Sequence, residues 1–159
     1  MESEPSEPPA PQRRTAEAVV AAFNAMDVEA IISHRHEKCT RIFLPTSMGL
    51  QPQDNATYSS SLKKLTAIFH NFSLTINDLI EDKDAQRICL WLSAKADTLA
   101  GEYVNEYMWL LDFDAEGEIL SSKEFSDSVM EREFYSKLRD AMIKQQQQQQ
   151  HAGAAEEKS

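Results

Sequence analysis

Between Gly101 and Phe113, the residues Tyr103, Asn105, Tyr107 and Trp109 fall at every second position. In an extended strand successive side chains point to opposite faces, so these four line one surface. Two phenols, an amide and an indole carry hydrogen-bonding tips on large, mostly apolar bodies. A strand built only for packing would show Val, Ile and Leu there. The pattern therefore predicts the wall of a pocket for a mostly apolar small molecule bearing a few polar groups. A neutral phenol donates a hydrogen bond or a proton with little charge to desolvate, which suits such a pocket. Tyr103 and Tyr107 would lie about 13 Å apart along a fully extended strand, and are expected to touch opposite ends of one ligand.

Glu124 belongs to the following strand. Turned inward, its carboxyl would be raised by burial into the range of a useful acid or base; turned outward, it would pair with Lys123. Arg35 closes the second helix and precedes the first strand. Its guanidinium would hold a developing oxyanion or a ligand carbonyl, or else sit on the surface at a helix C-terminus. His34 and His36 flank it, so a shift of one residue would present an imidazole instead. Asn105 would orient an amide or lactam, Trp109 completes the wall, and Tyr58 with Phe134 or Tyr135 would line or cover the mouth. No Cys, Asp or Glu spacing completes a metal site around the two histidines. No P-loop or dinucleotide fingerprint occurs, and four glycines give little scope for cradling phosphate. No metal and no cofactor are expected.

The elements that must position these groups follow from apolar spacing and turn residues. Thr15 is expected to cap a helix bearing Ala18, Val19, Ala22, Phe23 and Met26, and Asp27 a second from Val28 to about His34. A strand from Glu37 to Leu44 places Cys39, Arg41 and Phe43 on one face. The segment from Pro45 to Gln53 is a loop, and Asp54 or Asn55 caps a third helix through Tyr58, Leu62, Leu65 and Ile68. Strands are predicted over Phe72–Glu81, Gln86–Asp97, Gly101–Phe113 and Glu118–Phe125, the last pair joined as a hairpin. Asp127 caps a final helix carrying Phe134, Leu138 and Met142. Helices gathered around a run of strands argue for an α+β domain, a curved antiparallel sheet covered by helices into a cone with one open mouth.

Residues 1–12 are acidic and proline-rich without apolar periodicity, and residues 144–159 are dominated by the glutamine run Gln145–Gln150. Both are expected to be disordered, leaving one domain over 13–143, although the glutamines could extend the last helix. A formal net charge of −10 and the lack of a basic cluster argue against nucleic acid and anionic membrane as partners. Cys39 and Cys89 read as small buried side chains rather than a disulfide. With neither a signal peptide nor a membrane-spanning run, the expected compartment is the cytosol.

Several segments together resemble the SnoaL-like branch of the NTF2-like superfamily, and within it small isomerases and semi-pinacolases of fungal secondary-metabolite pathways. They are Ala16–Asp27, Phe43–Leu50, Pro52–Tyr58, Trp91–Ser93, Gly101–Tyr107 and Lys123–Phe125, and the resemblance spans about Thr15 to Met142. It implies an NTF2-like cone and a cofactor-free homodimer that rearranges a reactive polycyclic intermediate of the indole alkaloid or meroterpenoid type. The semi-pinacolase set of one arginine, two tyrosines four apart and one glutamate falls here on Arg35, Tyr103, Tyr107 and Glu124. On that reading Tyr103 or Arg35 activates an oxygen, Glu124 removes the hydroxyl proton and Tyr107 fixes orientation. A non-catalytic module of the same fold, binding a hydrophobic ligand or a partner protein, is the alternative.

Overall fold

The computed structural model describes residues 8–156. The elements run α1 (Pro11–Asn24), α2 (Val28–Ser33), β1 (Arg35–Leu44), a 3-10 turn (Thr46–Met48), α3 (Asn55–Ile68), β2 (His70–Asp82), β3 (Arg87–Thr98), β4 (Gly101–Phe113), β5 (Ile119–Ser126) and α4 (Ser128–Glu156). This is the expected α+β order. The strands form one open sheet in the order β1-β5-β4-β3-β2. Consecutive strands from β2 to β5 pair antiparallel, but β1 lies parallel to β5, so the sheet is mixed and not wholly antiparallel. A helix and three strands separate β1 from β5, so no hairpin constrains their direction, and a long crossover permits parallel pairing.

Short polar side chains set most of the helix starts. Asp27 accepts from the Ala30 amide, Asp54 from Thr57, and Asp127 from Val129 and Met130, each serving an otherwise unpaired first-turn donor. Strand ends shift by one or two residues from the sequence reading, with β1 opening at Arg35 and not Glu37; the two largest differences are at helix ends. α1 opens at Pro11 with Ala10 as its cap and no side-chain bond, so Thr15 lies inside the helix. Proline is pre-organised for that first position and has no amide to satisfy. The C-terminal stretch, expected to be disordered from 144 unless the glutamines extended the last helix, is helical to Glu156, with 144–156 exposed throughout. Glutamine is a good helix former, and the helix propagates without any tertiary partner. The remainder of the two expected tails, residues 1–7 and 157–159, lies outside the described residues.

β3 shows how the sheet gets its inner face. Ile88, Leu90, Leu92, Ala94 and Ala96 alternate with outward residues and are all buried. On β4 the partners of Leu90, Leu92, Ala94 and Ala96 are Trp109, Tyr107, Asn105 and Tyr103. Small alanines opposite Asn105 and Tyr103 leave room for the polar and aromatic bulk of β4. α1, α2 and α3 pack over this face, while Trp91, Val104, Met108 and Phe125 stay exposed on the other.

Candidate functional site

Between the helices and the inner face of the sheet lies a cavity of about 330 Å³. Phe23, Met26, Leu65, Phe69, Phe72 and Leu74 make its apolar walls. Its polar groups collect into two clusters. At one end, Arg41 on β1 meets Glu124 on β5, with Arg41 Nη2 at 2.9 and 2.8 Å from the two carboxylate oxygens. Alternation along β5 turns Ser122, Glu124 and Ser126 inward and Phe125 outward, which settles the direction of Glu124. Arg41 is fixed from its other side by Gln53, whose backbone pairs with it in both directions and whose side chain accepts from Nη1 at 3.2 Å. The loop after β1 thus folds back to aim the guanidinium. The Tyr58 ring lies beneath two cations, with Arg41 Cζ at 4.3 Å and Arg35 Cζ at 4.9 Å from its centroid. Burial alone would lower the Arg41 pKa, but the Glu124 carboxylate and its hydrogen bonds raise it overall.

At the other cluster, the hydroxyls of Tyr103 and Tyr107 are hydrogen-bonded to one another. This corrects the expectation that the two would reach opposite ends of a ligand: their side chains lean together along the strand and present a joined pair. Asn105 is the reason for the arrangement. Its Oδ1 accepts the Glu106 amide at 2.8 Å, so its Nδ2 faces and donates to the Tyr103 hydroxyl at 2.9 Å. Asn105 is buried and supports the phenols; it is not part of the cavity wall. The Tyr103 ring stacks on Phe69 at 4.8 Å and meets the edge of Phe134 at the same distance. Burial pushes both phenols above the ordinary tyrosine value, and for Tyr107 the neighbouring Tyr103 and Glu124 add to it.

Arg35 stands apart. Only 8% exposed, it donates to Asn55 at 2.9 Å and to Ser122 at 3.1 Å and does not line the cavity. Arg41 occupies the place in the cavity that sequence reasoning gave to Arg35. The signal was present: Arg41 shares a strand face with Cys39 and Phe43, a charge in an apolar row. Glu131 and Tyr135, on the first turns of α4, complete the lining. Glu131 went unnoticed in the sequence, although it precedes Phe134 and Leu138 at helical spacing. Its carboxyl is raised by burial and by the charge of Glu124, and burial with Glu131 nearby pushes Tyr135 up to about 12. Trp109 lines the cavity and packs on Phe23 at 5.3 Å, while Phe134 is core. Among the described residues, His34 and His36 gather no third metal-binding side chain.

An apolar chamber with a guanidinium–carboxylate pair and a phenol pair can bind a greasy molecule, orient its oxygens, and move a proton onto or off it. No protein-family model matches the chain. Among curated proteins it is 32% identical to austinoid biosynthesis clusters protein H of Penicillium brasilianum, over 72% of this chain and 82% of that protein. It is 28% identical to the monooxygenase AacuP of Aspergillus aculeatus, over 89% of this chain and 97% of that one. Among solved structures, the BvnE pinacolase from Penicillium brevicompactum superposes with a TM-score of 0.76 at 29% identity, covering 82% of this chain and 99% of that one.

Proposed function

Because the chain belongs to the SnoaL-like branch of the NTF2-like superfamily, alongside fungal secondary-metabolite cluster proteins, we propose that it is a cofactor-independent isomerase or cyclase acting by acid–base catalysis on a polycyclic intermediate. One observation carries this reading: a base-type pair, Arg41 with Glu124, and a phenol pair, Tyr103 with Tyr107, line the same apolar cavity. The reaction it supports is a redox-neutral rearrangement. A substrate hydroxyl passes its proton to Glu124 as its carbon becomes a carbonyl. A neighbouring carbon–carbon bond migrates with its electron pair to an adjacent electrophilic carbon. The heteroatom that receives the displaced electrons takes a proton from a phenol, and Glu124 returns the proton to the phenolate.

We take Tyr107 as that donor. Either hydroxyl of the pair can donate to the other; since Asn105 already donates to the Tyr103 oxygen, donation from Tyr103 to Tyr107 leaves the Tyr107 proton for the ligand. Tyr103 is fully enclosed, whereas Tyr107 is less buried. The orienting and activating roles given to the two tyrosines by sequence are thereby exchanged. Arg41 steadies the carboxylate and binds a developing oxyanion. Holding a reactive substrate in one near-attack conformer supplies a further part of the rate and selects the product.

The working unit we propose is a homodimer. Trp91, Met108 and Phe125 are direct neighbours across β3, β4 and β5, exposed with Val104 on the outer face, and make an apolar band that a second copy would cover. The ligand is a small molecule, with neither nucleic acid nor membrane as a partner, and the setting is the cytosol. No helix among the described residues is long and apolar enough to cross a membrane.

The experiment is incubation with hydroxylated indole-alkaloid and meroterpenoid intermediates under ¹⁸O₂, with chiral separation and mass analysis of the products. A product of unchanged mass and single handedness supports the isomerase. A product one ¹⁸O atom heavier would assign this chain the chemistry for which AacuP is named. Tight binding with no product would leave a ligand-binding module.

A further inference from the structure

Beside the Arg41–Glu124 pair is a second compartment of about 20 Å³. Phe23, Ile31, Arg41, Tyr58, Trp109 and Glu124 line both spaces. Arg35 and Ser122 line the second compartment and not the first. Two of the residues that line it each carry a buried donor with no protein partner, Arg35 Nη2 and Trp109 Nε1. Their residues are 8% and 7% exposed, so bulk solvent does not serve them. An unpaired donor at such depth is costly, and two around one small space point to a shared acceptor.

We propose that one fixed water molecule occupies this compartment, accepting from Arg35 Nη2 and Trp109 Nε1 and donating to Glu124. The size fits, since a single water needs about 10–15 Å³ of such space and two to four polar partners. The chemistry fits as well. Water accepts two hydrogen bonds and donates two, and a carboxylate already engaged by Arg41 on one side keeps free lone pairs on the other. A halide would accept from the same donors, but the negative Glu124 on the same wall disfavours it. Arg35 then bears on the carboxylate through the water, as a positioning residue outside the main cavity. The water site stands on geometry alone; only its bearing on turnover rests on the proposed function.

The chain has two tryptophans, Trp91 on the exposed face and Trp109 inside, so a ¹⁵N-labelled sample should show two indole N–H signals. The Trp109 signal should give a direct cross peak to water, of the sign expected for a molecule resident longer than the protein's tumbling time. Arg35→Met should abolish that peak. No water contact at Trp109 in the wild type, its retention in a folded Arg35→Met, or its loss on adding bromide would overturn the proposal. Where turnover is measurable, Arg35→Met should lower kcat about tenfold with KM unchanged. A rise in KM alone would reject the positioning role, and the wild-type spectrum decides the water site even if that variant fails to fold.

Discussion

Arg41 and Glu124 are mutually dependent. Their side chains are 14% and 10% exposed, so removing either leaves the other charged in a poorly hydrated place. Breaking such a pair from one side typically costs about 3–5 kcal/mol, while replacing both members with neutral groups is often close to neutral. Arg41→Met should therefore lower the unfolding free energy in urea by about 3 kcal/mol, and adding Glu124→Gln should recover more than half of it. A double variant no more stable than the single one would show that the loss came from packing against Phe43 and Tyr58. Glu131 leaves a different signature. Burial, then the charge of Glu124, raises its carboxyl above the ordinary 4.5, so the folded protein keeps this proton to higher pH than the unfolded chain does. Its contribution to stability is greatest below the ordinary value and falls as pH rises through the raised one. Glu131→Gln should accordingly gain stability relative to wild type as pH rises above the ordinary 4.5 in urea titrations at constant salt. A difference independent of pH would mean that the carboxyl titrates as it does in water.

The turn from β4 to β5 sets where Glu124 sits relative to Trp109, and Gly117 makes that turn possible. Its φ is +88°, and a Cβ built there would lie 3.0 Å from the Pro11 carbonyl carbon and Cβ at the start of α1. Gly117→Ala should destabilise by about 1–3 kcal/mol in thermal or urea unfolding. Gly101→Ala, also at positive φ but with open space around it, should cost less. An equal cost at both positions would put the whole effect in backbone strain and none in the contact with α1. Most elements could be read from the chain because their signals are local: Asp27, Asp54 and Asp127 are caps, and β3 alternates from Ile88 to Ala96. The parallel seating of β1 was not legible, because alternation records which face a residue uses and not which strand lies alongside. Glu124 stayed open for a related reason: Lys123 and Phe125 fit either orientation until β4 and β1 fix the register. Arg35 and Arg41 lie six residues apart on one strand, whose register shifts between Arg35 and Thr40; Gln53 holds Arg41 at the cavity while Asn55 and Ser122 hold Arg35 outside it.

Taken whole, the molecule uses its sheet twice, with the proposed catalytic groups on the inner side and an exposed apolar band on the other. If that band joins two copies, Phe125→Lys should shift the mass found by light scattering from dimer to monomer while the far-ultraviolet spectrum is retained. A wild type that is monomeric at the highest soluble concentration would remove the dimer from the account. The chamber and its two polar clusters draw their lining from four helices and four strands, which is why tyrosines spaced by four could suggest a pocket but could not show that their hydroxyls meet. In the proposed mechanism Glu124 and Tyr107 move protons on a bound substrate. Its most direct test is the single-turnover rate constant at saturating substrate for wild type, Glu124→Gln and Tyr107→Phe, with fold checked by circular dichroism. Losses of about 10²-fold or more are expected in each variant, with substrate affinity nearly unchanged. Wild-type rates in both variants would contradict that mechanism.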